Sequence, residues 1–412
     1  MRTGSRRRRN VLIGAGLAVV LVAAVAAGAV FVLGRHDGNV EGNTTGFVAT
    51  ETSPAVAVAS GTWPEYGFDQ RRTRANEALT LQPPFTERWR YDAKSLLEFP
   101  PVVGAGRAIV GTNDGRALAV ELTTGTELWS TQLAGQMAAS PALTGDVALF
   151  STTRGRLVAL RAGDGGRLWS TPVGSSTESS PLVIGDSAYV GTLDGTVLRV
   201  ETATGTIRWR AKAAGAVKAS LAASGDTVIV GDYAGRITAF AQRDGSVRWQ
   251  AASPAPRFRD AGRFYGGPAV AYGRVYIGNI NNRVVALQAD TGKRAWVRTL
   301  GDYVYSSAAI SKQTVFVGSY DHHLHALDAV TGKPRWSFDA GERISGSASV
   351  LGSLVYVSTL ARGGRKGTTF AIDVTSGKEV WSFPDGRYSP AVGVDGLLLL
   401  TGRQVLYGLT PS

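Results

Sequence analysis

The sequence predicts an all-β fold, a closed ring of eight four-stranded antiparallel sheets, and three observations predict it. Seven of the nine tryptophans each end a Gly-x-x-x-Trp element: Trp129, Trp169, Trp209, Trp249, Trp296, Trp336 and Trp381, at successive spacings of 40, 40, 40, 47, 40 and 45 residues. A period near 40 in strand-like sequence is the mark of one repeated supersecondary unit, here a four-stranded propeller blade. The register is strict: from the Pro101-equivalent position to the next Trp is 28 residues in six repeats and 33 in the seventh (348 to 381). The ends of the chain complement each other. After Trp381 three strands are predicted, Ser389–Val394, Leu397–Thr401 and Val405–Thr410, with no fourth. The missing strand is predicted at Phe85–Tyr91, whose Trp89 precedes Pro101 by the usual 12 residues. Such a composite last blade closes the ring and removes free sheet edges.

Taken from the N-terminus, residues 1–10 are a basic segment in which Arg2, Arg6, Arg7, Arg8 and Arg9 hold 5 of the formal net +12, leaving 12 − 5 = +7 for the remainder. Val11–Leu33 is 23 residues without charge, long enough as a helix to cross a bilayer. The flanking arginines orient it with the N-terminus in the cytoplasm and the rest outside the cell membrane, as a single-pass signal anchor. A cleaved signal peptide ending near Ala27 and a twin-arginine signal at Arg8-Arg9 are the alternatives. Residues 34–60, rich in Gly, Thr, Ala, Val and Ser, read as a flexible linker, and 61–412 as the propeller. No cysteine is present, so no disulfide framework supports the fold.

One unit shows the internal grammar. Ser180–Ile184 is a first short strand, Gly185-Asp186 a hairpin turn, Ala188–Thr192 a second strand, Asp194-Gly195 a turn, Val197–Glu201 a third, Thr204-Gly205 a turn, and Thr206–Trp209 the fourth. The Gly before each Trp suits a turn of positive φ. Each Trp, Trp89 included, offers a flat apolar face for docking on the next blade rather than a ligand platform.

These residues also carry a resemblance. Ala326-Leu327-Asp328-Ala329-Val330-Thr331-Gly332-Lys333-Pro334-Arg335-Trp336 resembles the Ala-x-Asp-x-x-Thr-Gly-x-x-x-Trp docking motif of the pyrroloquinoline-quinone (PQQ)-type propeller family. Trp63-Pro64-Glu65-Tyr66-Gly67-Phe68-Asp69, with Thr73, resembles the segment that leads into that propeller. Other copies depart from the motif, with Arg199 for Ala, Glu121 and Glu201 for Asp, and Asp164-Gly165 and Asp244-Gly245 for Thr-Gly. The family contains quinone-dependent dehydrogenases and noncatalytic platforms such as the lipoprotein propeller of the outer-membrane barrel-assembly machinery. The resemblance implies, for the enzymes, a Glu-Asn-Asp calcium cage, an Asp base and, in one branch, an adjacent Cys pair. No residue here maps onto the cage or base, and the absence of Cys excludes the Cys pair and a lipid-anchored form. The expected function is therefore a noncatalytic platform of the cell envelope that binds a protein or polymer and needs no cofactor. The alternative is a dehydrogenase using PQQ with calcium in the central funnel.

Two insertions mark where partners are expected. Because strands alternate between the faces of the disc, the link 253–265 into blade five and the second-to-third turn 361–367 of blade seven emerge on one face. They bring Arg257, Phe258, Arg259, Arg263, Phe264, Tyr265, Arg362, Arg365 and Lys366 to a candidate surface for an anionic partner, or else to a merely solvated loop face. An extracytoplasmic address argues against nucleic acid. Asp321, His323 and His325 are weak candidates for a divalent ion, since the two imidazoles lie two residues apart on one strand. No Gly-x-Ser-x-Gly, Gly-x4-Gly-Lys-Ser or His-Glu-x-x-His element is present, so no catalytic residue is singled out.

Overall fold

The computed structural model describes residues 39–49, 58–254, 262–360, 367–387 and 389–412. Eight sheets are arranged as successive blades, seven of them built from consecutive strands. In blade three the strands are Leu182–Ile184, Ser187–Gly191, Thr196–Glu201 and Ile207–Lys212, paired antiparallel in sequence order. The eighth blade is shared between the ends of the chain. Val392–Val394, Leu397–Thr401 and Val405–Pro411 are completed by Phe85–Asp92, which pairs antiparallel with the last of them. Blade seven gains an unpredicted fifth strand, Ala75–Asn76, parallel to Ser349–Leu351. The predicted membrane-spanning helix (11–33) lies outside the described residues; among those described, no helix is long and apolar enough to cross a membrane.

The repeat motif now has a physical account. In blades one to seven the Gly of Gly-x-x-x-Trp has φ between 67 and 74°. A Cβ there would also lie only 2.4–2.8 Å from the indole of the preceding blade's Trp. The Gly is thus required twice, by the turn and by the close approach. Seven indoles donate Nε1–H to a carbonyl of the next blade at 2.8–3.1 Å, for example Trp209 to Gln242 and Trp296 to Ala329. The motif Ala faces the Trp directly across the third and fourth strands, as in Ala326↔Trp336, so its small side chain leaves room for the ring. The motif Asp closes the turn, with Asp328 Oδ1 accepting from the Val330 and Thr331 amides and the Thr331 hydroxyl. At the seam no turn precedes Trp89, and Phe85 stands four residues before it instead of Gly. Phe85 meets Trp381 edge to face at 5.1 Å.

The N-terminal segments complete the ring. Residues 39–49, part of the span expected to be a flexible linker, are held against blades five and six. Val40 forms a bridge with Val297, and the buried Arg274 guanidinium donates to the carbonyls of Asn43 and Thr45 as well as Ala329. That expectation is corrected for these residues, because backbone pairing and a buried cation fix them. Residues 63–76 run around the channel axis and pair with the inner strand of one blade after another: Trp63 with Val103, Pro64 with Leu143, Gln70 with Ala223, Arg71 with Val270, Thr73 with Ile310 and Arg74 with Val350. The inner edges of blades one to seven, which carry backbone donors that must find acceptors, are met by this segment, blade three through Glu65 Oε2, which accepts from the Val183 amide.

Candidate functional site

The channel has two ends. At one, the lead-in segment and the first-to-second turns of blades one to three enclose a cavity of ≈ 650 Å³ whose charged lining residues are Glu65, Asp69 and Asp146. Beside it the segment is tied by a buried ion pair, Arg72 Nη1 to Glu65 Oε2 at 2.9 Å. Arg72 also donates to the carbonyls of Leu221, Tyr66 and Pro181. Burial pushes the Glu65 carboxyl up to about 7 against the opposing charge of Arg72. Asp69 is raised by burial too, though it accepts from the Thr73 amide and hydroxyl. Phe68, Arg72 and Arg74 take left-handed φ of 75, 59 and 55°, a costly backbone that persists only where its surroundings dictate it. Here those surroundings are the carbonyls that Arg72 and Arg74 reach.

At the other end, second-to-third turns and inter-blade links share one face, as strand parity requires. Asn113 N–H donates to Leu96 C=O, Tyr233 to Ala216, Ile280 to Arg263 and Leu360 to Arg343. The mouth here is a cavity of ≈ 270 Å³. Its side chains come largely from one repeat position, three residues before the Pro101-equivalent: Glu98, Glu178, Lys218, Tyr265, Tyr305 and Ser345. Two positions further on, a belt of hydroxyls links blades. Ser140 N–H donates to Ser180 Oγ at 3.1 Å, Gly267 to Ser307 at 2.8 Å and Ser307 to Ser347 at 2.9 Å. Tyrosines surround the mouth in a continuous arc, with ring centroids 4.8 Å apart from Tyr233 to Tyr265, 4.8 Å to Tyr305 and 4.6 Å to Tyr320.

The sequence-predicted residues divide on this face. Arg257, Phe258, Arg259, Arg362, Arg365 and Lys366 lie outside the described residues. Arg263 is exposed, with its guanidinium 5.8 Å from the Tyr233 ring. Tyr265 is half-buried within the arc. Phe264 is fully buried in the core between blades four and five. Its assignment to an exposed surface is therefore corrected; alternation along the link turns it inward against Ile277 and the Cα of Gly231. Asp321, His323 and His325 do come together, but as a clasp. His325 Nε2 lies 2.9 Å from Asp321 Oδ2, His323 Nδ1 lies 2.8 Å from the Asp321 carbonyl, and the Gly301 amide also donates to the carboxylate. Burial would raise Asp321, yet the hydrogen bond and charge of His325 and the amides of Gly301 and His323 outweigh it and hold the carboxyl down to about 2. Among the described residues no group of three His, Cys, Asp or Glu is placed to hold a metal ion.

Sequence reasoning missed the ring at the mouth. Its signal was present in the 40-residue separation of Tyr265 and Tyr305, and of Glu178 and Lys218, at one repeat position.

A closed ring of eight four-stranded blades, locked by Gly-x-x-x-Trp docking, defines a propeller of the PQQ type. The chain belongs to the family whose model is described as outer membrane protein assembly factor BamB, which matches residues 86–180, 114–310 and 300–411. Its fold is similar to BamB from Moraxella catarrhalis (TM-score 0.67, 19% identity, 80% of this chain and 98% of that one). It is also similar to a europium-containing methanol dehydrogenase (0.73, 13%, 85% and 98%) and to quinohemoprotein alcohol dehydrogenase from Comamonas testosteroni (0.72, 15%, 86% and 81%). At these identities the likeness is one of fold alone, shared by assembly factors and enzymes. No curated protein sequence matches the chain.

Proposed function

We propose that this protein is a noncatalytic binding platform of the cell envelope, tethered through residues 11–33 with its propeller outside the cytoplasmic membrane, and that the link face is where its partner docks. The observation that carries the reading is the chemistry of the channel mouth. A quinone at this mouth would require a calcium cage and a cofactor-sized chamber. Only two carboxylates line this mouth, Glu98 and Glu178, and the second is taken by Lys218 at 2.6 Å. The cavity of ≈ 270 Å³ lies just below the roughly 300–1,000 Å³ usual for small-molecule sites, room for a compact group rather than for a quinone with its metal ion. These residues do not fit a quinone–calcium pair, which favours a platform. The family model described as BamB supports the same side. The partner is an envelope protein or an anionic polymer, drawn by Arg263 and the arginines of the two inserted loops.

The decisive experiment adds PQQ and calcium to the purified protein, followed by absorbance and by dye reduction with alcohols and sugars. Neither a bound quinone band nor turnover is expected; both together would overturn the proposal. Fractionation of cells with and without residues 1–38 tests the tether, the shortened form being expected to leave the membrane fraction.

A further inference from the structure

The channel mouth is built to receive something other than a quinone. We propose that it is a binding site for a compact organic ammonium group, held between the aromatic faces of Tyr66, Phe99, Tyr265 and Tyr305 and the carboxylate of Glu98. All five residues line the one cavity. Aromatic faces attract cations through the ring quadrupole, most strongly where water is excluded. Two of these rings already do so with the protein's own cations: the Lys218 ammonium lies 5.5 Å from the Tyr265 centroid and the Arg74 guanidinium 4.9 Å from that of Tyr66.

The charge balance favours one more cation. Three charged residues line the mouth, Glu98, Glu178 and Lys218. Lys218 is bound to Glu178, which leaves a net charge of −1 on Glu98. Glu98 makes no hydrogen bond or ion pair among the described residues, although it is half-buried. Burial pushes its carboxyl up, more than the charges of Lys218 and Arg387 draw it down. A half-buried carboxylate without a partner is costly, and a bound cation removes that cost.

A second observation is independent of charge. Ser220 is buried and lines the same cavity, and its Oγ, itself closed off from solvent, has no hydrogen-bond partner among the described residues. Blade five carries Gly267 where blades six and seven carry Ser307 and Ser347, so the belt has no Oγ there to accept from the Ser220 N–H as Ser307 and Ser347 accept from Gly267 and Ser307. A hard metal ion is a poorer occupant, since calcium takes about six to eight oxygen ligands and one of the two lining carboxylates is already paired with Lys218. The cavity volume of ≈ 270 Å³ suits a headgroup-sized ligand.

The test is calorimetric titration of the intact protein with choline and with n-butylammonium, and with calcium as a competitor. Saturable binding of an ammonium at one site is expected, undisturbed by calcium. Glu98→Gln is expected to weaken it by about tenfold or more, as the loss of a charge-assisted contact should. Tyr305→Leu is expected to weaken it as well. Glu98→Gln is nearly isosteric, and an unchanged melting temperature certifies its fold if the Tyr305 variant proves unstable. Choline binding above butylammonium would mark a quaternary ligand, and the reverse a primary amine; either supports the site. No saturable heat from either probe, displacement by calcium, or unchanged affinity in folded Glu98→Gln overturns it.

Discussion

Two glycines of blade four offer a controlled test of what holds the ring together. Gly225 and Gly245 both have positive φ, 52 and 74°. A Cβ on Gly225 meets nothing within 4 Å, whereas one on Gly245 falls 2.8 Å from Cε3 of Trp209 in blade three. Alanine at either site costs about 1–2 kcal/mol for the left-handed backbone. At Gly245 the indole must also move, and overpacking of this kind costs about 1–3 kcal/mol more. Gly225→Ala is therefore expected to lose about 1–2 kcal/mol and Gly245→Ala about 2–5 kcal/mol, measured by equilibrium urea unfolding at constant m-value. Replacing Trp209, which is half-buried and donates to Gln242 C=O at 2.9 Å, by Ala costs about 3 kcal/mol. On that background the obstacle is gone. Gly245→Ala should then cost no more than Gly225→Ala, a coupling of about 1–3 kcal/mol. Equal losses for the two single glycine variants, or a Gly245→Ala cost that persists without Trp209, would refute indole-on-glycine docking as the bond between blades.

Three other outcomes follow from the same packing. Deleting Phe85–Asp92 unpairs the edge of Val405–Pro411 and should drive the protein into aggregates in the void volume on size-exclusion chromatography; a soluble, cooperatively melting deletion form would contradict closure by this strand. Arg72→Met strands Glu65 and three carbonyls in the interior and should cost about 3–5 kcal/mol in urea unfolding, whereas a loss like that of a surface arginine would refute its role as the pin of the lead-in segment. Glu65 supplies the pH test. Its folded pKa, raised to about 7, exceeds the ordinary 4.5, so the associated stability is complete below the ordinary value and disappears as pH rises through the folded one. The melting temperature of Glu65→Gln relative to wild type should climb from pH 5 to pH 8, and a constant difference would show that Glu65 does not titrate in this window.

The sequence by itself determined the ring: strand order, blade number, the composite closure at Trp89, and the turn role of each glycine before a Trp. All of these depend on contacts within one 40-residue unit or between neighbouring copies of it, and identical local chemistry repeated at fixed spacing leaves a period that can be read. The tertiary structure alone decided what happens on the axis. Nothing local in Trp63–Asn76 announces that it pairs in turn with the inner strands of successive blades, because its acceptors and donors are drawn from positions up to hundreds of residues away. Nor does local alternation say which residues of the link, Phe264 or its neighbours, face the core, or set Glu98 opposite Tyr265 and Tyr305 in one cavity. Those side chains meet only because eight blades converge on a common channel. Closure of the ring, which no single repeat encodes, is what makes them neighbours.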